Sequence, residues 1–90
     1  MKVYVKMLGS ISLFAGEKEC ELTFDKDSVT AGEVFQVLGA KYGEKFSRVT
    51  YDASKPSIKV ICYVDGEHAK YNSPVPDGAH VKILKAMGGG

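Results

Sequence analysis

The stretch Val29-Thr-Ala-Gly-Glu-Val-Phe-Gln-Val-Leu-Gly-Ala-Lys-Tyr-Gly43 carries the strongest helix signal in the chain, and the fold is read outward from it. Thr30 to Glu33 has the spacing of a capping box, in which a Thr hydroxyl accepts from the backbone N–H three residues on and the Glu reaches back. Val29 and Val34 stand where a hydrophobic staple would close the entry, and Gly43 stands where a helix commonly ends. Ala31, Val34, Phe35, Leu38 and Tyr42 recur at helical spacing. The pattern predicts a helix from Ala31 to Tyr42, with Gly39 inside it costing about 1 kcal/mol relative to Ala.

Towards the N-terminus the period changes from 3.6 to 2. Cys20, Leu22 and Phe24 oppose Glu19, Glu21 and Thr23, and Val3, Val5 and Met7 alternate with Lys2, Tyr4 and Lys6; each run reads as a strand with one apolar face. Between them Ile11 to Ala15 is too short for a full helix. Towards the C-terminus Glu44 to Ser57 is mixed and polar and reads as a long loop with at most an irregular turn, ending at Pro56. Ile58 to Val64 reads as a third strand. Asp65-Gly66 supplies the two positive-φ residues of a type I′ turn into a short strand, Glu67 to Lys70. Pro76-Asp77-Gly78 turns the chain into a last strand in which Val81 and Ile83 alternate with Lys82, Leu84 and Lys85.

One helix among these strands must cover one face of their sheet. Short turns give antiparallel neighbours, and the helix-bearing connection acts as a crossover. The expected architecture is α+β, a β-grasp or ubiquitin-like roll with a mixed sheet of four to five strands under one main helix. It would occupy residues 1–85, with 86–90 as a flexible Gly-rich tail.

Ninety residues bound the chain to a single core. Twelve Lys and Arg against 11 Asp and Glu leave a net charge of +1, without the basic excess of a sequence-blind nucleic-acid binder. Lysines interrupt the apolar residues of the first eight positions, so no signal peptide is read, and no run approaches the roughly 18 apolar residues of a membrane span. A soluble, cytoplasmic protein with no membrane or nucleic-acid partner is expected. Cys20 and Cys62 are 42 positions apart without a CxxC, and neither His68 nor His80 has a second ligand at a recognised spacing. Buried free thiols and surface histidines are the expected readings, with no metal site. Two cysteines also cannot hold the four-thiolate cluster of a ferredoxin on this architecture.

The β-β-helix-β order, the hairpin Val64-Asp65-Gly66-Glu67, the segment Pro76-Asp77-Gly78-Ala79-His80-Val81 and the terminal Gly89-Gly90 together resemble the MoaD/ThiS-like family of ubiquitin-like sulfur carriers. Within it the chain looks most like the small subunit of molybdopterin synthase. The hairpin reads Val-Asp-Gly where that family usually has Val-Asn-Gly, and Gly88 adds a third glycine to its usual pair.

No Ser/His/Asp set, Walker A loop or dinucleotide-binding glycine motif occurs, so the chain is not expected to be an enzyme. The resemblance instead implies chemistry at Gly90. Its carboxylate would be adenylated by a ubiquitin-activating-like enzyme using ATP and magnesium, then converted to a thiocarboxylate with sulfur from a donor such as a cysteine desulfurase. The sulfur would go to the large subunit of molybdopterin synthase for the dithiolene of a molybdenum or tungsten pterin. No cofactor would be bound stably. Gly88 and Gly89 would thread the partner's channel, since glycine carries no side chain to obstruct entry.

If the inward alternation holds, Tyr4, Lys6, Ile61, Tyr63, Lys82 and Leu84, together with Lys59, face away from the helix. Apolar and basic residues alternating there form an expected docking face for an acidic partner. Three other readings remain. A carrier for thiamine or another metabolite is typically shorter and lacks a segment like Glu44 to Ser57. A protein modifier would be linked through Gly90 to lysines. The last is an interaction domain with an inert end.

Overall fold

A computed structural model describes residues 1–85. In chain order they form β1 (Lys2–Met7), α1 (Ser10–Ala15), β2 (Glu19–Thr23), β3 (Ser28–Thr30), α2 (Ala31–Tyr42), α3 (Glu44–Thr50), β4 (Tyr51–Asp52), β5 (Ser57–Ile58), β6 (Ile61–Val64), β7 (Glu67–His68), β8 (Pro74–Pro76) and β9 (His80–Leu84). The tail expected at 86–90 lies outside the described residues.

The main sheet runs β2-β1-β9-β6-β7. β1 and β9, the two cleanest alternating segments, lie side by side and parallel; the other pairs of this sheet are antiparallel. Val3, Val5 and Met7 of β1, Val81 and Ile83 of β9, and Cys62 and Val64 of β6 are buried together with Val34, Phe35 and Leu38 of α2. This is the mixed β-grasp roll that the alternation and the capping signal predict. α2 has the predicted bounds, and the Thr30 hydroxyl accepts from the Glu33 N–H at 3.2 Å. Asp65 at φ 51° and Gly66 at φ 85° supply the two left-handed residues that the β6–β7 turn requires.

Glu44 to Ser57, expected as a loop, is instead α3 followed by the β4–β5 hairpin. Phe46 and Thr50 stand four apart on one face and are fully buried, with the Thr50 hydroxyl donating to the Phe46 carbonyl at 2.7 Å. That bond satisfies a polar group in the core, so Thr50 packs there although it reads as polar in the sequence. The glycine inside α2 also gains a reason. A Cβ at Gly39 would run into the Ser47 hydroxyl of α3 and meet the Tyr51 hydroxyl at 3.0 Å; the helix gives up propensity to let α3 approach.

Ile11 to Ala15, read as too short for a full helix, lies within the six-residue α1. Fully buried Ile11 holds it, and Gly16 closes it at φ 79° with its N–H on the Ser12 carbonyl. Tertiary packing stabilises a turn that would be marginal alone. The expected strand Ile58–Val64 is divided: Ile58 pairs with Tyr51, and regular pairing to β9 begins at Ile61. β7 is two residues long and stops before Lys70. β3 and β8, absent from the sequence reading, pair Val29 with Val75 beside the start of α2.

Candidate functional site

The six residues expected on the outer sheet face are brought together there. Lys6, Lys82 and Tyr63 form one row across β1, β9 and β6. Tyr4 is opposite His80 in the row beside it, and Leu84 is opposite Ile61 on the other side. These pairings put the side chains on the face that α2 does not cover, because inward and outward positions alternate along each strand. Lys59 is not part of it. Its ammonium donates to the Arg48 carbonyl at 2.9 Å, and its backbone N–H to Thr50, because the strand is interrupted there.

Aromatic stacking orders this face. The Tyr4 ring stacks on His80 at 5.1 Å with 21° between planes, and Tyr63 meets His68 edge-on at 5.9 Å. Both histidines were read only as surface residues. The alternation that sends Lys82 outward also sends His80 there, so its place was legible. The face is concave, with Tyr4, Lys6, Tyr63, His80, Lys82 and Leu84 lining it and Glu19, Glu21 and Asp65 along its margins. Among the described residues Lys6 and Lys82 have no ion-pair partner, whereas Lys2 meets Glu21 at 3.3 Å. The centre is therefore basic and apolar inside an acidic margin, more mixed than the sequence reading supposed.

The cysteines divide. Cys62 lies opposite Ile83 and is wholly buried, and that burial pushes its thiol up to about 11. Cys20 lies opposite Val5 on the inner side, as expected, but β2 is an edge strand and leaves it half-buried. The neighbouring Tyr42 hydroxyl donates to Glu17, and its ionisation is driven upward by burial first and then by hydrogen bonds to Cys20 and Glu17. Thiolate character controls cysteine reactivity, so Cys62 is inert near neutral pH. The double variant Cys20→Ala, Cys62→Ala is expected to keep the sulfur-transfer activity proposed below in a reconstituted assay, while melting lower because a buried side chain has been truncated. Retained folding with complete loss of transfer would show a thiol relay instead.

Among the described residues no three His, Cys, Asp or Glu side chains converge to hold a metal ion. No helix among them is long and apolar enough to cross a membrane. Gly88, Gly89 and Gly90, on which the expected chemistry rests, lie outside the described residues; β9, which leads to them, ends at Leu84 on the outer face.

A mixed β-grasp sheet backed by one principal helix defines a small ubiquitin-like protein. The chain belongs to the ThiS family of ubiquitin-like sulfur carriers, whose model matches residues 11–90. Among solved structures it is similar to small archaeal modifier protein 1 of Haloferax volcanii, with a TM-score of 0.81 and 12% identity over 96% of this chain and 98% of that one. A Pyrococcus furiosus protein described as a molybdopterin converting factor, subunit 1, gives 0.76 and 21% over 97% and 99%. Urm1 from Trypanosoma brucei gives 0.77 and 16% over 99% and 95%. At these identities the likeness establishes the fold. No curated protein matches the chain.

Proposed function

We propose that this protein is a sulfur carrier that delivers a thiocarboxylate on Gly90 for the dithiolene of a molybdenum or tungsten pterin. The observation that carries the proposal is the ThiS-family match, which extends through Gly88, Gly89 and Gly90. A carboxylate is a poor electrophile until one oxygen becomes a leaving group. Attack of the Gly90 carboxylate on the α-phosphate of ATP releases pyrophosphate and forms an acyl-adenylate. The donor's persulfide sulfur then displaces AMP to give an acyl disulfide, a thiol of the sulfur-donating partner cleaves its S–S bond and leaves as a disulfide, and the resulting thiocarboxylate sulfur is the group delivered. The adenylating enzyme, a sulfur donor such as a cysteine desulfurase and the large subunit of molybdopterin synthase supply the active sites; this chain supplies the tethered group and a docking face.

The likeness to an archaeal modifier protein favours one second reading, in which the same activated Gly90 is transferred to lysines of target proteins. A reconstitution with the adenylating enzyme, ATP, a sulfur donor, the large subunit and its pterin precursor tests the first reading. Dithiolene formation dependent on this chain supports it. Lysine conjugates in a lysate without dithiolene formation would replace it with the second.

Docking by the outer face has its own expected results. Alanine at Tyr63, Ile61 or Leu84 should speed dissociation from the large subunit, since truncating a buried hot spot costs on the order of 2 kcal/mol, about 30-fold. Charge reversal at Lys6 or Lys82 should instead slow association, with a difference that shrinks as salt rises. Surface plasmon resonance at two ionic strengths separates these effects. Parent-like rates in all five variants would remove the outer face from the interface.

A further inference from the structure

The two edges of the main sheet differ. β7 ends one of them with two residues, whereas β2 lines the other with five, Glu19–Thr23. An edge of that length, in unbroken register and without proline, is a template for a further strand.

The direction of its backbone groups follows from the ladder. The Met7 N–H donates to the Lys18 carbonyl at 2.7 Å and the Phe24 N–H to the Met1 carbonyl at 2.9 Å. Bonded and non-bonded pairs alternate along an antiparallel ladder, so Cys20 exchanges hydrogen bonds with Val5, and Leu22 with Val3. Glu19, Glu21 and Thr23 are the residues between, and their N–H and C=O groups point away from β1. Tyr4, opposite Glu21, fixes the phase: its N–H donates to the Ala79 carbonyl, on the β9 side of β1. Among the described residues the outward backbone groups of Glu19, Glu21 and Thr23 have no backbone partner, and all three residues are exposed.

Donors and acceptors left open at every second residue fit one kind of occupant, an extended chain. The side chains on either side of the edge give its composition. Glu19 and Glu21 stand on the outer side, in a stretch from Glu17 to Asp27 that carries five carboxylates against two ammoniums, although the chain as a whole has a net charge of +1. The pair of Glu21 with Lys2, at 3.3 Å, is exposed and weak enough to be exchanged. On the inner side Leu22 is buried, but Cys20 and Phe24 beside it are only half covered, so apolar side chains continuing that row would complete the cover. A second copy of the chain fits poorly. Antiparallel pairing of two β2 strands about their centre sets Glu21 against Glu21, and like charges directly opposite are destabilising.

We propose that the β2 edge is a docking site for an extended basic segment of a partner protein, which joins the sheet as a sixth strand. Its lysines or arginines lie beside Glu19 and Glu21, and its alternate apolar residues beside Cys20, Leu22 and Phe24. The hydrogen bonds run in the plane of the sheet, so this site is distinct from the outer face, and it stands whether or not Gly90 carries sulfur.

The test is amide hydrogen exchange by NMR on the full chain, with and without the peptide acetyl-Lys-Val-Lys-Val-Lys-amide at up to millimolar concentration. At saturation exchange at Glu19, Glu21 and Thr23 is expected to slow on the order of tenfold or more, with Cys20 and Leu22, already bonded to β1, unchanged. Affinity should fall as salt rises. It should also fall at least tenfold for the same peptide N-methylated on alternate residues, for one with Glu in place of Lys, and for the Glu19→Lys/Glu21→Lys protein. The two peptide controls need no variant to fold. Unchanged exchange at the three amides, or an N-methylated peptide that binds as well as its parent, would overturn the proposal. So would a chain that sedimentation shows to be dimeric, with the same three amides protected in the absence of peptide, since the edge would then belong to a second copy.

Discussion

Deleting Gly90 alone is expected to abolish sulfur transfer while leaving the melting temperature where it was. The proposed chemistry depends on a carboxylate held in line with a phosphate at a fixed depth, and loss of one residue withdraws it by about 3.5 Å. Well-oriented intramolecular reactions gain effective molarities of roughly 10⁵ to 10⁸ M from geometry alone, so a displacement of that size should reduce the rate at least a thousandfold. One residue added after Gly90 should be equally inactivating, since the carboxylate is then displaced in the other direction. The buried cluster among the described residues draws on positions between Val3 and Ile83, so folding should not register either change. A melting point lowered by several degrees on deletion would mean that the end of the chain contributes to the core, contrary to its proposed role as a tethered reagent.

The largest expected effect on stability comes from Phe46→Ala. Phe46 is wholly buried, with its ring 5.2 Å from that of Tyr42 and tilted against it. Truncating a buried Phe costs about 3 to 5 kcal/mol, through lost transfer energy and the cavity left behind. A chain of this length has on the order of 5 to 13 kcal/mol in total, so the variant should be near or past the limit of folding at 37 °C. Denaturant unfolding gives the difference directly. A cost below about 1 kcal/mol would show that α3 is peripheral to the core, contrary to the packing described.

Phe46 also marks where sequence reading stops. α2 and the sheet strands β1, β2 and β9 were legible because each has an uninterrupted period and, for α2, a cap whose hydrogen bond forms as the spacing requires. α3 was not, because its inward face is Phe46 and Thr50, and a threonine that satisfies its own hydroxyl on the preceding turn cannot be told from a solvated one by composition. The break after Ile58 was hidden for a related reason. Ile58, Val60 and Ile61 read as continuous strand, yet Lys59 is tied to α3 and diverts the chain before β6 begins. Short pairings such as β3 with β8, where Val29 meets Val75, depend on residues far apart in the chain and have no local signature.

The candidate site was legible to a similar degree. All six outer-face positions followed from the alternation, and the acidic margin did not, because Glu19 and Glu21 join that face only once β2 is paired to β1. Leu13 and Phe14 were passed over because Ile11 to Ala15 read only as a segment too short for a full helix, and the structure shows which of its side chains are turned outward.

The central claim, that Gly90 carries the sulfur, is tested most directly by the intact mass of the protein after incubation with an adenylating enzyme, ATP and a sulfur donor, with digestion to place any change. The account predicts a gain of about 16 Da, as the terminal OH is replaced by SH, confined to the peptide containing Gly90 and absent without ATP. An unchanged mass in the presence of an enzyme that has consumed ATP on this chain, or a gain located on Cys20 or Cys62, would contradict it.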